Sequence, residues 1–413
     1  MKRLLLAMII AALPMAADEI AVSRKLQQEA LAAYKEKKPD VFLKKTRAAS
    51  DLRPQHPTLL VQLAIAFSAN GQHQNALGVL DRVAAMGFVY KLDDAELQPV
   101  RALPAFARIA KKFEANARTI GTAKEELTID RLGMIPEGLA YDMARRRWLV
   151  SSVRNGTILT VAADGDVQTL VDVPWGVFGM AVDAKRGVLW ATTAAVAQTE
   201  EFRAEDKGKA ALLKIELATG RILETLAAPE DAEHHFGDVA VASDGEVYVS
   251  GSTPVIFRVA ENKLEPFVRG PFSSMQGIAP ARNVLYVADY AKGILIVDRR
   301  TRDVHTLRVP PNASLLGIDG LYLVDENTLI ATQNGTNPNR IIRIRLAPGG
   351  LAVSSVETLL ANASGMTDPT LGAVVGKRFF FNANAQWDLF GGDGRIADPL
   401  KLMPAVVLSV PVN

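Results

Sequence analysis

The sequence predicts a mainly β protein: a six-bladed β-propeller preceded by a small α-helical domain. Between residue 137 and the C-terminus, a tight turn with Gly or Asp leads six times into a short strand, a second turn and another strand. The copies start at positions 137, 178, 237, 276, 319 and 368, so most steps are close to forty residues. Such a period, made of β-branched and aromatic runs between turn residues, is typical of propeller blades.

Each repeat combines an inner-strand motif with a second strand, as the first copy shows. Pro136–Asp142 forms the turn and first strand, and Trp148–Ser152 forms the second. A single blade cannot bury its apolar face alone, so the copies must stack in one ring, which also avoids long open sheet edges. We therefore assign residues 119–413 to one propeller, with Val406–Val410 as its closing strand.

The N-terminus has the pattern of a secretory signal. The basic start Met1–Arg3 precedes the apolar run Leu4–Leu13, which is shorter than the roughly 20 residues that span a bilayer. With cleavage near Ala16 or Ala17, the predicted signal peptide comprises residues 1–17. The mature protein is then expected to be periplasmic or secreted, with no membrane span after signal removal. The alternative is a buried N-terminal helix.

Residues 18–118 show helical periodicity in place of strand alternation. Apolar residues recur at helical spacing within Leu26–Tyr34 and again within Leu60–Val83. The second pattern is similar to the tetratricopeptide helix hairpin, and Tyr34 and Phe67 are 33 positions apart, close to that repeat. We predict a tetratricopeptide-like domain through which a protein partner binds. The alternative is a helical cap packed on the propeller.

Charge and composition exclude several kinds of function. There are 47 Lys and Arg residues against 45 Asp and Glu, a net charge of +2, so no general electrostatic case exists for a nucleic-acid partner. The sequence has no cysteine, which excludes disulfides, thiolate metal sites and a cysteine nucleophile. It also lacks a Gly-x-Ser-x-Gly elbow and a phosphate-binding Gly-rich loop with lysine.

Oxygen-bearing side chains recur at the start of the inner strands, the position that faces the central channel. At this position stand Glu137, Phe178, Gln276, Asp319 and Asp368, and Asp238 follows Gly237 one residue later. Converging oxygens without a thiolate suit a hard divalent cation, Ca²⁺ before Mg²⁺ or Mn²⁺. Crowded carboxylates must bind a cation or hold a proton. The alternative is that each acid is an ordinary turn residue.

From about residue 130 onward, the chain resembles the senescence marker protein/gluconolactonase propellers, which are regucalcin-like. Three motifs carry the resemblance: Pro136-Glu137-Gly138, Gln276-Gly277-Ile278-Ala279 and Asp319-Gly320-Leu321. The resemblance implies a six-bladed propeller that binds a divalent cation in its channel through a Glu, two Asn and an Asp. It also implies lactone hydrolysis in many members, with the cation polarising the carbonyl and the Asp acting as general base.

The resemblance makes Glu137 and Asp319 cation ligands, and Asp319 also the catalytic general base. Gln276 stands where the family has Asn, and Gly237-Asp238 stands where an Asn-Asp pair is usual, so one Asn is lost while Asp238 remains. We predict a metal-dependent hydrolase of a small-molecule lactone or ester. Related propellers of the NHL type have no chemistry, so a non-catalytic binding protein of the cell envelope is the alternative.

Phe178 and His235 are expected to bind the substrate. Phe178 and the charged insertion Gln198–Lys209 would shape the mouth of the channel. His235 belongs to the pair His234-His235 just before the third inner strand. Related paraoxonase-type propellers use a histidine over a calcium ion, which is the reason for including it. The alternative is that the histidine pair and the insertion are solvated loops.

Overall fold

The computed structural model describes residues 19–412. The predicted signal peptide, residues 1–17, therefore lies outside the described residues. Between residues 19 and 412, no helix combines the length and the apolar character that crossing a membrane requires.

The chain forms two compact units. The first extends to Asp81 and resumes over Leu92–Phe106, and the second comprises Arg82–Lys91 and the chain from Ala107 onward. The second unit therefore contains the whole propeller together with a short segment from the helical region.

Helices make up the N-terminal region, as the periodicity predicts. Two of them begin at Pro39 and Pro57, where a missing N–H costs nothing because the first turn of a helix leaves its donors unpaired. Gly71 follows the third helix with φ of 71°, the left-handed conformation that ends many helices. The six α-helices of the described chain are α1 (Glu19–Lys35), α2 (Pro39–Leu52), α3 (Pro57–Ala69), α4 (His73–Ala85), α5 (Gln98–Arg101) and α6 (Phe106–Asn116).

Six antiparallel four-stranded sheets form the propeller, which confirms the fold class. Blades one to three contain β2 (Pro136–Asp142), β3 (Arg147–Ser152), β4 (Thr157–Val161), β5 (Val167–Asp172), β6 (Gly176–Asp183), β7 (Val188–Ala194), β8 (Ala210–Glu216), β9 (Ile222–Ala227), β10 (Phe236–Val241), β11 (Val247–Gly251), β12 (Val255–Ala260) and β13 (Lys263–Arg269). Blades four to six contain β14 (Met275–Pro280), β15 (Val284–Asp289), β16 (Gly293–Asp298), β17 (Val304–Thr306), β18 (Ile318–Asp325), β19 (Thr328–Gln333), β20 (Arg340–Leu346), β21 (Val353–Ala361), β22 (Gly372–Val375), β23 (Arg378–Asn382), β24 (Ala405–Pro411) and β1 (Lys124–Ile129).

The last blade joins the two ends of the propeller. Its order is β22, β23, β24 and then β1, the first strand of the propeller sequence. Leu127 pairs with Val407 and Ile129 pairs with Ala405. The predicted closing strand, Val406–Val410, is thus confirmed as part of β24, and β1 is its outer partner.

Apolar side chains pack between neighbouring blades. In one cluster, Leu149 of blade one and Leu213 of blade two are both buried, and in another Ile129 of blade six packs with Val150 of blade one. Because each face is covered only by the next blade, the ring must be complete for every blade to bury its core.

The inner strands of blades one to five each contain a β-bulge where the repeated turn motif lies. A bulge adds an unpaired residue and redirects side chains, and it commonly occurs beside functional sites. Glycine is needed there because neighbouring inner strands approach closely: a Cβ on Gly138 would lie 2.2 Å from the carbonyl oxygen of Phe178. The register shifts fall between Pro136 and Leu139, Val177 and Met180, Phe236 and Asp238, Met275 and Ile278, and Ile318 and Leu321.

Hydroxyl side chains on the second strands hold the inner strands of the next blades in place. Ser151 donates to the Phe178 carbonyl at 2.8 Å and accepts from the Gly138 amide at 2.7 Å. Ser250 donates to the Gln276 carbonyl in the same way. These bonds satisfy buried backbone groups that the bulges leave without ladder partners.

A buried arginine organises the loop after β19. Arg340 is 2% exposed, donates to the Gln333 side chain at 2.7 Å and to the Met86 carbonyl at 2.8 Å, and lies over the Phe88 ring. Burial lowers the pKa of Arg340 to about 10, so the side chain stays charged at neutral pH. The arginine and Gln333 thereby fix both ends of the loop that carries Asn334.

Candidate active site

A cavity of about 100 Å³ lies where the bulged inner strands converge. It brings together all six residues that the sequence predicts for the site. They supply both its acidic and its aromatic parts, and the segment between β23 and β24 completes the wall. The lining residues are Glu137, Phe178, His235, Gly237, Asp238, Gln276, Asp319, Leu371 and Trp387.

Two carboxylates, Glu137 and Asp319, are each held by one neutral donor. The Trp387 indole N–H donates to Glu137 Oε2 at 2.9 Å, and the Asn334 amide donates to Asp319 Oδ2 at 2.8 Å. Asn334 in turn accepts from the Tyr290 hydroxyl at 3.0 Å. These contacts orient both carboxylates without neutralising them.

The third carboxylate, Asp238, is bound on both oxygens by the backbone. Its Oδ1 accepts from the Val239 amide at 2.9 Å, and its Oδ2 accepts from the Ile278 amide of the next blade at 3.3 Å. Gln276 lines the cavity beside it. A Cβ built on Gly237 would lie 4.0 Å from Gln276 Oε1 and meet no other atom beyond its chain neighbours within 4 Å, so the space beside Gly237 is open.

The three carboxylates carry negative charge that no basic side chain offsets. Burial, together with the charges of the other acids, raises the pKa of Glu137 well above its usual value. Burial likewise raises the pKa values of Asp238 and Asp319 from 3.8 to about 7, with smaller contributions from nearby acids. Across residues 19–412, no basic group lowers any of these three pKa values. The cavity therefore needs protons or a cation.

The chemistry of these side chains fits a hard cation. Carboxylate and amide oxygens are the ligands that Ca²⁺ prefers, and Gln276 adds an amide oxygen to the acids. In the described part of the chain, no group of three or more acidic or histidine side chains is already arranged as a metal cluster.

We expect the stability of the metal-free protein to fall as pH rises. Asp238 and Asp319 bind more protons in the folded state than in the unfolded state between about pH 4 and 7, because folding raises their pKa values. The unfolding free energy therefore decreases through that window and stays lower above it. Thermal unfolding of the chelated full chain at pH 5, 7 and 8 measures this effect. A melting temperature that rises towards pH 8 in the presence of chelator would contradict the conclusion that the buried carboxylates lack basic partners.

Calcium provides the control for this pH series. A cation that binds only the folded state raises stability. Added Ca²⁺ should raise the melting temperature of the chelated protein most at pH 8, where the carboxylates are ionised. The Asp319→Asn variant should show a weaker pH dependence in chelator, because one titrating group has been removed.

Aromatic side chains form the rest of the wall. The rings of Phe178 and His235 meet edge to face with centroids 4.5 Å apart, and Phe178 and Trp387 are stacked at 6.4 Å. His235 Nε2 is buried without a hydrogen-bond partner in the described chain, and burial lowers its pKa to about 4, so the imidazole is neutral at pH 7. His234 is buried and bonds Asp231 at 3.1 Å. The solvated-loop alternative for this histidine pair is wrong.

The charged insertion packs against the segment that carries Trp387 and does not form part of the cavity wall. Within residues 19–412, no residue of 198–209 lines the cavity. Gln198 instead donates to the Gly391 carbonyl at 3.1 Å, and Asp206 accepts from Trp175 at 3.3 Å. The wall that the insertion was expected to supply comes from Trp387.

Sequence reasoning missed the residues that support the site. Trp387 lies outside the repeated motif, in the connection between β23 and β24, whereas Leu371 is the last residue of the motif copy that starts at Asp368. Asn334 stands in a stretch that reads only as a turn-rich loop. Asp368 matches the repeat but accepts from the Trp387 backbone amide at 2.8 Å and does not line the cavity. The one available signal was the position of Asn334 directly after β19.

Comparison with known proteins supports the fold. A scan against protein-family models and a search of curated proteins both give no match. Among solved structures, a glucose dehydrogenase has a TM-score of 0.51 and 12% identity, covering 70% of this chain and 98% of its own.

Two other solved structures have similar scores. The calcium-binding protein regucalcin from Agrobacterium tumefaciens has a TM-score of 0.49 and 14% identity, over 70% of this chain and 96% of its own. A gluconolactonase from Xanthomonas campestris has a TM-score of 0.47 and 16% identity, over 72% and 92%. At such identities the likeness concerns the fold alone, because one propeller architecture hosts many functions.

Proposed function

We propose that the protein is a divalent-cation-dependent hydrolase of a lactone or ester, with Ca²⁺ the most suitable cation. The observation that carries this proposal is the convergence of Glu137, Asp238 and Asp319 in one cavity with no basic partner in the described chain. Such a group of acids destabilises the fold unless it binds positive charge, which makes a role in binding the best reason for its presence.

The acids and the amide would hold the cation from different blades. Glu137 and Asp319 each have one carboxylate oxygen without a hydrogen bond in the described chain, and Gln276 contributes its amide oxygen. When bound, the cation supplies the positive charge that polarises a substrate carbonyl. Both oxygens of Asp238 accept hydrogen bonds from backbone amides, so Asp238 would act on the cation more through its negative charge than as a direct ligand.

Asp319 is the residue placed to take a proton from water. Asn334 holds its Oδ2 by a hydrogen bond, which leaves Oδ1 as the oxygen that would accept the water proton. The water oxygen forms a bond to the carbonyl carbon, and the bond from that carbon to the leaving oxygen breaks. The proton passes to the leaving oxygen, which gives a hydroxy acid from a lactone, or an acid and an alcohol from an ester.

The cavity does not depend on a hydroxyl or thiol nucleophile. Its lining residues include no serine or threonine within residues 19–412, and the whole sequence has no cysteine. Attack by water is the route that this set of side chains supports.

A non-catalytic binding protein is the second candidate, and two observations favour it. Both oxygens of Asp238 already accept backbone hydrogen bonds, and Gly237 has no side chain where the family has Asn. We also propose export to the periplasm or beyond, and a protein partner for the helical unit, on the sequence patterns alone.

Chelation distinguishes the two candidates. The full chain should hydrolyse at least one member of a panel of lactones and aryl esters, lose that activity in EDTA and regain it with added Ca²⁺. Calorimetry should detect Ca²⁺ binding to the chelated protein. Hydrolysis that persists in EDTA would refute cation dependence. A protein that hydrolyses nothing and binds no Ca²⁺ would leave the binding-protein candidate.

A further inference from the structure

A short chain of hydrogen bonds reaches Asp319 from outside the cavity. The Tyr290 hydroxyl donates to Asn334 Oδ1 at 3.0 Å, and Asn334 Nδ2 donates to Asp319 Oδ2 at 2.8 Å. Within residues 19–412, neither Tyr290 nor Asn334 lines the cavity. These two residues therefore act on the cavity through Asp319.

Three neighbouring blades meet at the Asn334 side chain. Asn334 directly follows β19 of blade five, and Asp319 lies on β18 of the same blade. Asn334 Nδ2 also donates to the carbonyl of Pro369, which precedes β22 of blade six, at 2.9 Å. Tyr290 directly follows β15 of blade four. The amide thus fixes the place of Asp319 relative to the blades on both sides.

The chemistry of the three partners determines the orientation of the Asn334 amide. The Asp319 carboxylate and the Pro369 carbonyl accept hydrogen bonds, so the N–H₂ group must face them and the oxygen must face Tyr290. If the amide turned over, its oxygen would face two other acceptors. Burial raises the pKa of Tyr290 to about 12, so its hydroxyl keeps the proton that it donates. Tyr290 thereby stabilises the orientation in which Asn334 donates to Asp319.

Tyr290 is held by backbone hydrogen bonds and by close packing. Its amide donates to the Ser274 carbonyl and its carbonyl accepts from the Gly317 amide, both at 2.8 Å. Its ring lies against Gly335, where a Cβ would come within 2.4 Å of Tyr290 Cζ. Glycine is therefore required directly after Asn334 for the two side chains to meet.

A fully buried carboxylate, Asp289, organises the turn that carries Tyr290. A carboxylate has about four lone-pair sites, and backbone amides fill all of them here. The four N–H groups lie 2.6 to 3.1 Å from the Asp289 oxygens and belong to Ser273, Ser274, Ala291 and Lys292. The position of Tyr290 is therefore set by the fold before any ligand binds.

The bond from Asn334 decides which oxygen of Asp319 is available. Because Oδ2 is held by Asn334, the other oxygen, Oδ1, is the one left for a cation or a water. Without this bond the carboxylate could rotate away from that arrangement. Metal sites depend on such supporting residues, which keep a ligand in its productive orientation.

We propose that Asn334 is a positioning residue for Asp319, and that Tyr290 fixes the Asn334 amide in the orientation that this role requires. Through these two residues the fold presents Asp319 Oδ1 to the cation and to the reacting water. The effect on the reaction rests on the proposed function, whereas the effect on Ca²⁺ binding is measured without a substrate.

Asn334→Ala should weaken Ca²⁺ binding to the full chain at least about tenfold, as the loss of a supporting residue commonly does. Tyr290→Phe removes a single hydroxyl with little risk to folding, and it should weaken binding about two- to tenfold. In the Asp319→Asn protein, Asn334→Ala should cost no further affinity, because no carboxylate remains to be positioned. Calorimetry on the chelated proteins measures these changes, and melting curves establish that each variant is folded.

Asn339→Ala and Tyr286→Phe are the matched controls. Asn339 lies in the same loop as Asn334 and donates to the Thr367 carbonyl of blade six at 2.9 Å. Tyr286 of blade four donates to the Gly350 carbonyl at 3.0 Å. In the described chain neither residue lines the cavity, so both variants should bind Ca²⁺ as tightly as the wild type. Wild-type affinity in folded Asn334→Ala, or an equal loss in the controls, would overturn the positioning role.

Hydrolysis gives the second measurement. If the proposed function holds, Asn334→Ala at saturating Ca²⁺ should lower kcat at least about tenfold and change KM little, because Asp319 acts in the chemical step. A wild type that hydrolyses a lactone as well as Asn334→Ala does would overturn the inference and leave the proposed function intact. A wild type that hydrolyses nothing, but whose Ca²⁺ binding Asn334→Ala weakens, would keep the inference and lose the hydrolase. A wild type that binds no Ca²⁺ would overturn both.

Discussion

Replacing Asp319 with asparagine is expected to lower kcat/KM at least about 10²-fold for any substrate that the protein hydrolyses. Asparagine has the same shape and still accepts the hydrogen bond from Asn334, so the site should keep its geometry. It cannot accept the water proton, and it removes one charge from the cation site. The loss should appear mainly in kcat, because the proton is transferred in the chemical step.

Two comparisons make this prediction specific. Asp325→Asn changes an exposed aspartate at the end of the same strand, whose Oδ1 accepts from the Asn327 amide, and it should leave kcat/KM within about twofold. The metal-free Asp319→Asn protein should be more stable than the wild type at pH 8, since a buried charge has been removed. Full activity in Asp319→Asn, with the variant folded, would refute the assigned general base.

The second large effect is expected in cation affinity. Glu137→Gln should weaken Ca²⁺ binding by roughly 10- to 100-fold, comparable to the loss of a supporting residue in other metal sites. Glutamine has the size of glutamate but no charge. Its N–H₂ group can take the place of the oxygen that accepts the hydrogen bond from the Trp387 indole. Calorimetry on the chelated protein measures the change directly.

Gly237→Asn is the reciprocal variant. A Cβ at this position has open space and asparagine would add an amide oxygen beside the acids, so the new side chain should fit and strengthen Ca²⁺ binding severalfold. Glu326→Gln, an exposed glutamate in the turn after β18, should change nothing. If Glu137→Gln binds Ca²⁺ as tightly as the wild type, the cation site does not include Glu137.

Much of the fold follows from local pattern. A glycine follows each of Glu137, Phe178, Gln276 and Asp319 and marks the same bulge in four blades. The bulge aims the side chain before the glycine at the channel. A bulge that recurs in several blades appears in the sequence as a recurring pair of residues, the channel-facing residue and the glycine after it. This is the reason why the side chains that line the cavity were predictable from spacing.

The supporting residues were not predictable in this way. Trp387 reaches Glu137 across 250 positions, and nothing near either residue in the sequence encodes that contact. Asn334 depends on the path of a loop held by Arg340, which local pattern does not determine. The contribution of residues 198–209 to the channel mouth was inferred from length and charge, which say where a chain has extra residues but not where it packs.

The pairing of β1 with β24 has a consequence for how the propeller folds. Ser409 donates to Glu126 across 283 positions, so the last blade can assemble only after β24 has been made. Until then, β1 has no neighbouring strand, and blade one lacks the face that Ile129 and Val407 cover. Glu137 of blade one likewise meets Trp387 only when the last blade is present. The candidate site is therefore completed in the same step that closes the circle of blades.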